Sequence, residues 1–194
     1  KMSWSLQGNQ GIIKSQGEEG LNTSPWSGAI QTVIPDPNNA DILYIGSVNG
    51  GIWKTENATN PNPNWTPLTD DKSSLSIGAM AMSPTSSSIL VAGIGSFSSL
   101  AGEGGSLRGL LLTTDGGKTW TEIGTNDLNG KNIAAVAIRS NQDANNQPQP
   151  SVILAGARNG GLFRSTDGGK TFAAVTGPSG TDFSTAQFSD MASD

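Results

Sequence analysis

"TTDGGKTW" (Thr113–Trp120) returns fifty-two residues later as "STDGGKTF" (Ser165–Phe172), with a hydroxyl, an aspartate, two glycines and an aromatic ring in the same places. Asp-Gly-Gly offers a side-chain acceptor followed by two residues free to take positive φ, which is the chemistry of a tight turn between antiparallel strands. Thr113, Asp115, Gly117 and Trp120, with Ser165, Asp167, Gly169 and Phe172, therefore form one structural set. Each aspartate is expected to accept hydrogen bonds from its own turn, and each ring to pack beneath it. Earlier in the chain "TENATNPNPNW" (Thr55–Trp65) keeps the pattern in degenerate form, with Asn57 at the aspartate position and a Pro/Asn loop before Trp65.

The octet sits inside a longer repeat. "GAIQTVIPDPNNADILYIGSVNGGIWKT", "SIGAMAMSPTSSSILVAGIGS" resumed by "GLLLTTDGGKTWTEIG", and "NIAAVAIRSN" resumed by "SVILAGARNGGLFRSTDGGKTFAAV" lay over one another. Each holds an apolar run, a turn, a second run ending in glycine, a third short run before the octet and a fourth after it. Four strands in about 45 to 55 residues is the size of a propeller blade. The fold class expected is all-β, a β-propeller of four-stranded antiparallel blades, with about three and a half blades present. The units divide as residues 28–75, 76–131 and 132–180, with 181–194 opening a fourth because "TAQFSDMASD" reads as an inner strand. Residues 1–27 include "KMSWSLQG", which mimics "KTWTEIGT", so Met2–Leu6 fit an outer strand that closes the last blade. Propellers close with about four to eight blades, so the remainder of the propeller or a second chain is needed to close the ring. Open edges invite pairing.

Composition removes several function classes. The net charge is -5 and no basic cluster exists, so no nucleic acid is expected as a partner, because phosphate binding needs concentrated Lys and Arg. No apolar run is long enough for membrane insertion. With neither cysteine nor histidine, disulfides, thiol nucleophiles, zinc-thiolate sites and imidazole bases are all absent. Asp143 in "SNQDANNQPQPS" stands without metal-ligand spacing. No cofactor and no metal are expected, and no residue is assigned a catalytic role.

The octet resembles the Asp-box, or bacterial neuraminidase repeat, of sialidases, sortilin-type receptors, xyloglucan-cleaving glycosidases and the propeller assembly factor of photosystem II. The likeness covers about residues 28–178 and implies a propeller of the kind found in secreted bacterial proteins. Xyloglucan-cleaving members resemble "YARTDxGGAYR" in the opening blade, where the Asp carries catalysis. Aligned on the aromatic and the glycine pair, this chain reads "YIGSVNGGIWK" (Tyr44–Lys54), with Val48 in place of that Asp and Gly46 in place of the Arg. Sialidases resemble one another in an arginine triad and a tyrosine nucleophile, whereas Arg108, Arg139, Arg158 and Arg164 here occupy unmatched blade positions and Tyr44 lies in an apolar strand.

In a propeller the octet turns share one face, and ligands usually take the other. Candidates there are Asn49, Asp70, Asp71, Lys72, Asn126, Asp127, Asn159 and the inserted loop "GSFSSLAGEGGSLR" (Gly95–Arg108), since long loops in compact domains tend to be functional. Within it Phe97 is suited to stack on a sugar or apolar partner, and Leu100, Glu103 and Arg108 to complete a contact patch. Asp70 or Asp71 converging with Glu103 would suit glycoside cleavage, inverting at about 6.5 to 9.5 Å and retaining at about 5 to 5.5 Å. Two functions follow: an extracellular or cell-surface binding and scaffold module taking a protein or carbohydrate ligand, or a glycoside hydrolase whose catalytic residues lie largely outside this chain.

Overall fold

The computed structural model describes residues 29–99, 102–177, 183 and 186–188. The closing strand expected at Met2–Leu6 and the loop residue Leu100 lie outside the described residues, as does most of 181–194. The described chain is all-β, built as three four-stranded antiparallel sheets in the manner of a partial propeller. Sheet one is β1 (Ile30–Asp36), β2 (Asn39–Ser47), β3 (Ile52–Thr55) and β4 (Trp65–Pro67). Sheet two is β5 (Ile77–Ser83), β6 (Ser86–Ile94), β7 (Leu110–Thr113) and β8 (Thr121–Ile123). Sheet three is β9 (Ile133–Gln142), β10 (Pro148–Ala157), β11 (Leu162–Ser165) and β12 (Ala173–Ala174). In each, strands neighbour one another in chain order.

Sheet two is sandwiched, and the period of its strands shows how. In β6, Leu90 and Ala92 join Tyr44, Ile52, Ile77, Met80, Leu111 and Trp120 in the seam with sheet one. Ile89 and Val91 point the other way, with Leu110, Leu112, Ile133, Val136, Ile153 and Phe172, into the seam with sheet three. A strand buried on both faces reads as a continuous apolar run because alternate side chains feed different cores. Each seam is tight at a second-strand glycine. A Cβ on Gly46 would stand 2.6 Å from Ile77 Cγ2, and one on Gly93 would stand 2.4 Å from Ile133 Cγ2. The second-strand glycine of one sheet thus receives the first isoleucine of the next.

The octets behave as turns tied by their own side chains. Thr113 Oγ1 accepts from the Gly117 amide at 2.9 Å and donates to Asp115 Oδ1 at 2.8 Å, while Asp115 accepts from the Thr119 amide and hydroxyl at 2.9 and 2.6 Å. Ser165, Gly169, Asp167 and Thr171 repeat the pattern at 2.7 to 3.0 Å. In sheet one Asn57 Oδ1 accepts from Thr55 Oγ1 and the Asn64 amide at 2.9 and 2.8 Å, so the degenerate stretch closes in the same way. Gly116, Gly117, Gly168 and Gly169 all take positive φ, between 70 and 94°. Trp120 and Phe172 are buried, each in the seam with the preceding sheet. Burial alone would raise the Asp115 carboxyl, but donors from Thr119, Thr113 and the Lys118 amide outweigh it and hold it at about 2. Tyr44 is core: its hydroxyl donates to the Gly116 carbonyl at 2.9 Å, and burial pushes its pKa up, which holds the phenol neutral.

Candidate functional site

Opposite the octets, the connections β2 to β3, β6 to β7, β10 to β11 and those between sheets emerge together. The β6 to β7 connection is the long one, and it reaches over all three sheets. Toward sheet one, Asn49 donates to Ser99 Oγ at 3.4 Å and to the Glu103 carbonyl at 3.2 Å, and its Oδ1 accepts from Ser76 Oγ at 2.6 Å. Ser76 Oγ in turn accepts from the Gly105 amide at 2.8 Å. Ser99 Oγ also bonds the Glu103 carbonyl, which cinches the loop on itself. Toward sheet three, Asn132 Oδ1 accepts from the Ser96 amide at 3.0 Å, and the Arg158 guanidinium lies 5.3 Å from the centre of the Phe97 ring.

An asparagine ladder continues the face. Asn159 Oδ1 accepts from the Asn132 amide at 2.9 Å, and its Nδ2 donates to the Gly130 carbonyl at 2.9 Å. Asn49 and Asn159 hold the same place in "SVNGG" and "ARNGG", so one repeated tripeptide supplies both amides. Sequence reasoning missed Asn132 and gave Arg158 no site role. The signal for Asn132 was a polar residue directly before the first isoleucine of a unit.

The predicted residues have different surroundings. Phe97 is half-buried, with Arg158 on its ring, so it serves as a pin between sheets two and three rather than a free stacking platform. Glu103 is exposed and binds into the loop through its carbonyl, which leaves the carboxylate outward. Arg108 pairs with Asn129 across a backbone bridge, and its charge helps lower the Glu122 carboxyl, whose main cause is the bond from Ser73. Asp71 is bound to its neighbour Lys72 at 2.8 Å, which lowers its carboxyl, and Asp70 is exposed on the same turn. Asp127 is spent on the structure, accepting from the Phe172 amide at 2.8 Å.

Glu122, on a three-residue outer strand, is the acid that sequence reasoning passed over. It joins the exit of sheet one to the edge of sheet two by accepting from the Ser73 amide at 3.0 Å. Among the described residues no group of three or more Asp and Glu side chains is placed to hold a metal ion. The face is thus a belt of amides, hydroxyls and backbone groups with isolated charges at its margins, chemistry that can recognise hydroxyl-rich or polar ligands. Proton transfer needs positioned acids, and those located here are exposed or already bonded.

No family model matches the chain. A probable oligoxyloglucan-reducing end-specific xyloglucanase of Neosartorya fischeri is 28% identical over 160 residues, covering 77% of this chain and 18% of that protein. Among solved structures, an ancestral GH74 enzyme matches with a TM-score of 0.59 at 19% identity, over 96% of this chain and 21% of its own. The GH74 xyloglucanase from Xanthomonas campestris matches at 25% identity over 75% of this chain and 20% of its own, with a TM-score of 0.49. The chain therefore spans about a fifth of the length of the proteins it resembles, and the likeness to the ancestral enzyme is one of fold.

Proposed function

We infer that this chain is a segment of a glycoside-hydrolase-type propeller directed at xyloglucan-like chains, and that its sheets supply scaffold and glycan contacts while the cleaving carboxylates come from elsewhere in the assembled ring. The likeness to the xyloglucanase, running through 77% of the chain, carries this reading. The octet geometry favours the Asp-box assignment, with Asp115 and Asp167 spent on their own turns. An extracellular or cell-surface setting suits such a substrate.

A local observation separates this segment from a complete active site. Gly46 stands where the resembling motif carries Arg, and a Cβ there would meet Ile77 Cγ2 at 2.6 Å, Thr32 Cγ2 at 2.7 Å and Met80 Sδ at 2.9 Å. An arginine has no room. Val48, at the position of the catalytic Asp, is half-buried and gives its amide to the Ala29 carbonyl at 3.0 Å. The same departure favours the second reading, a binding and scaffold module without hydrolytic chemistry.

Calorimetry with xyloglucan oligosaccharides, run beside an assay for new reducing ends, tests both. Binding without release is expected, weakened by Asn49→Ala or Arg158→Ala. Release of reducing ends would place the chemistry within this chain. No binding at all would overturn the glycan assignment and leave the scaffold reading.

A further inference from the structure

Strand register makes the corners of the two seams beside the octets equivalent, position by position. In the seam between sheets two and three, Val91 pairs with Leu112, and Ile123 follows on the outer strand. Val91 is 0% and Leu112 9% exposed, and a Cβ on Gly169 of the next octet would stand 2.6 Å from Ile123 Cδ1. That corner is apolar and closed. In the seam between sheets one and two the same places hold Tyr44, Lys54 and Leu68, with Gly117 in the place of Gly169. A Cβ on Gly117 would stand 2.8 Å from Leu68 Cδ1 and 3.3 Å from Tyr44 Cε1.

Lys54 thus stands where sheet two packs a leucine. Its side chain is 16% exposed, with Nζ 2.7 Å from Glu56 Oε1 and 5.4 Å from the centre of the Tyr44 ring. Arg164 holds the equivalent place in sheet three and is exposed. A half-buried ammonium adds less to a core than a leucine and has to be kept charged by partners, so blade packing does not call for it. Two further departures from the repeat converge on the same corner. Glu56 takes the octet position that is Thr114 in sheet two, and Trp65 follows Thr55 by ten positions where Trp120 follows Thr113 by seven. The longer loop brings Asn57 and Asn64 alongside. Together these residues border a cleft of about 480 Å³, completed from sheet two by Gly116, Gly117 and Lys118. Small-molecule sites span about 300–1,000 Å³.

Lys54 and Lys118 bring two positive charges to the cleft and Glu56 one negative, a positive excess on a chain of net charge -5. The bond from Lys54 is the main cause that lowers the Glu56 carboxyl, and the charge of Lys118 adds to it. The Lys118 ammonium, Asn57 Nδ2, the Asn64 amide group and the Thr66 hydroxyl hold no hydrogen bond to another described residue. We propose that this cleft binds an acidic sugar, with its carboxylate between Lys54 and Lys118 and its hydroxyls on Asn57, Asn64 and Thr66. One excess positive charge matches a monoanion, whereas a doubly charged phosphate would also face Glu56. Leu68 is the single apolar side chain of the lining, too little to hold an apolar ligand. The cleft lies on the octet face, opposite the amide belt, and the proposal does not rest on what that belt binds.

Calorimetric titration of the chain with galacturonate, galactose, acetate and inorganic phosphate tests it. Galacturonate is expected to bind, with galactose, acetate and phosphate each weaker. Lys118→Ala and Lys54→Leu should each weaken galacturonate at least about tenfold, the scale of a lost charge partner. Lys54→Leu installs the residue that sheet two carries, so it should melt no lower than the unchanged chain and lose binding without losing fold. If it does melt lower, Lys118→Ala, at an exposed position, carries the test. Lys170→Ala, at the same octet place in sheet three and outside the cleft, should leave binding unchanged. Galactose or acetate bound as tightly as galacturonate overturns the proposal, as does phosphate bound more tightly. Equal weakening by Lys170→Ala would make the effect one of diffuse charge and overturn it as well, and so would a cooperatively folded chain that binds none of the four.

Discussion

The hydroxyl that opens each octet does more than its aspartate neighbour's charge would imply. Thr113 is 1% exposed, and its Oγ1 accepts from the buried Gly117 amide. Thr113→Val keeps the shape but leaves that amide unpaired, a loss of about 1–3 kcal/mol, to be read from urea unfolding. Asp167 is more forgiving. Asn57 performs the same role in sheet one through Oδ1 alone, so Asp167→Asn should lower the melting temperature less than Asp167→Ala, and neither should alter glycan binding. The pH dependence follows from Asp115, whose carboxyl lies at about 2 against an ordinary 3.8. Between those values the unfolded chain binds more protons than the folded one, so stability rises with pH there, is complete above about pH 4, and is lost as pH falls through 2. Thermal melts from pH 2 to 5 should show that slope in the unchanged chain and a shallower one in Asp115→Asn. The octet's turn role was legible because Asp, Gly, Gly and an aromatic at fixed offsets admit few backbone paths.

At the scale of strands, the seam glycines decide how closely sheets approach. Gly93→Ala places a methyl within van der Waals overlap of Ile133, and overpacking of this kind costs about 1–3 kcal/mol. Ile133→Val in the same chain should recover part of it, and a double-mutant cycle by chemical denaturation measures the coupling. Strand pairing and the two-sided burial of sheet two were legible from apolar runs and their spacing. The insertion was legible as a loop between β6 and β7, but its role was not. Its length and its Phe97, Glu103 and Arg108 marked it as a contact patch, whereas Asn49, Asn132 and Arg158, distant in sequence, bind it down across three sheets. A free ring at Phe97 was the natural expectation; the guanidinium that covers it arrives from the connection after β10.

For the molecule as a whole, equivalent positions have unequal energetics. Ile30→Ala should change unfolding free energy by under about 0.5 kcal/mol, as exposed substitutions do, while Ile77→Ala should cost about 2–5 kcal/mol, both from urea melts of the same chain. Equal losses would mean that the face of sheet one is covered. Sequence alone determined the all-β class, the four-stranded unit and the turn chemistry, because period-two alternation, glycine placement and the repeated octet are local and recur in register. It also indicated that acids such as Asp115 are structural, since the same turn needed them twice. Only the tertiary structure decided which polar residues meet. Glu122 reaches Ser73, Asp127 reaches Phe172, and Tyr44 reaches Gly116, because adjacent sheets bring together residues 45 to 72 positions apart that no spacing rule connects. It alone also distinguished Ile30 from Ile77. The two occupy the same place in the repeat, and what separates them is whether another sheet among the described residues lies against them.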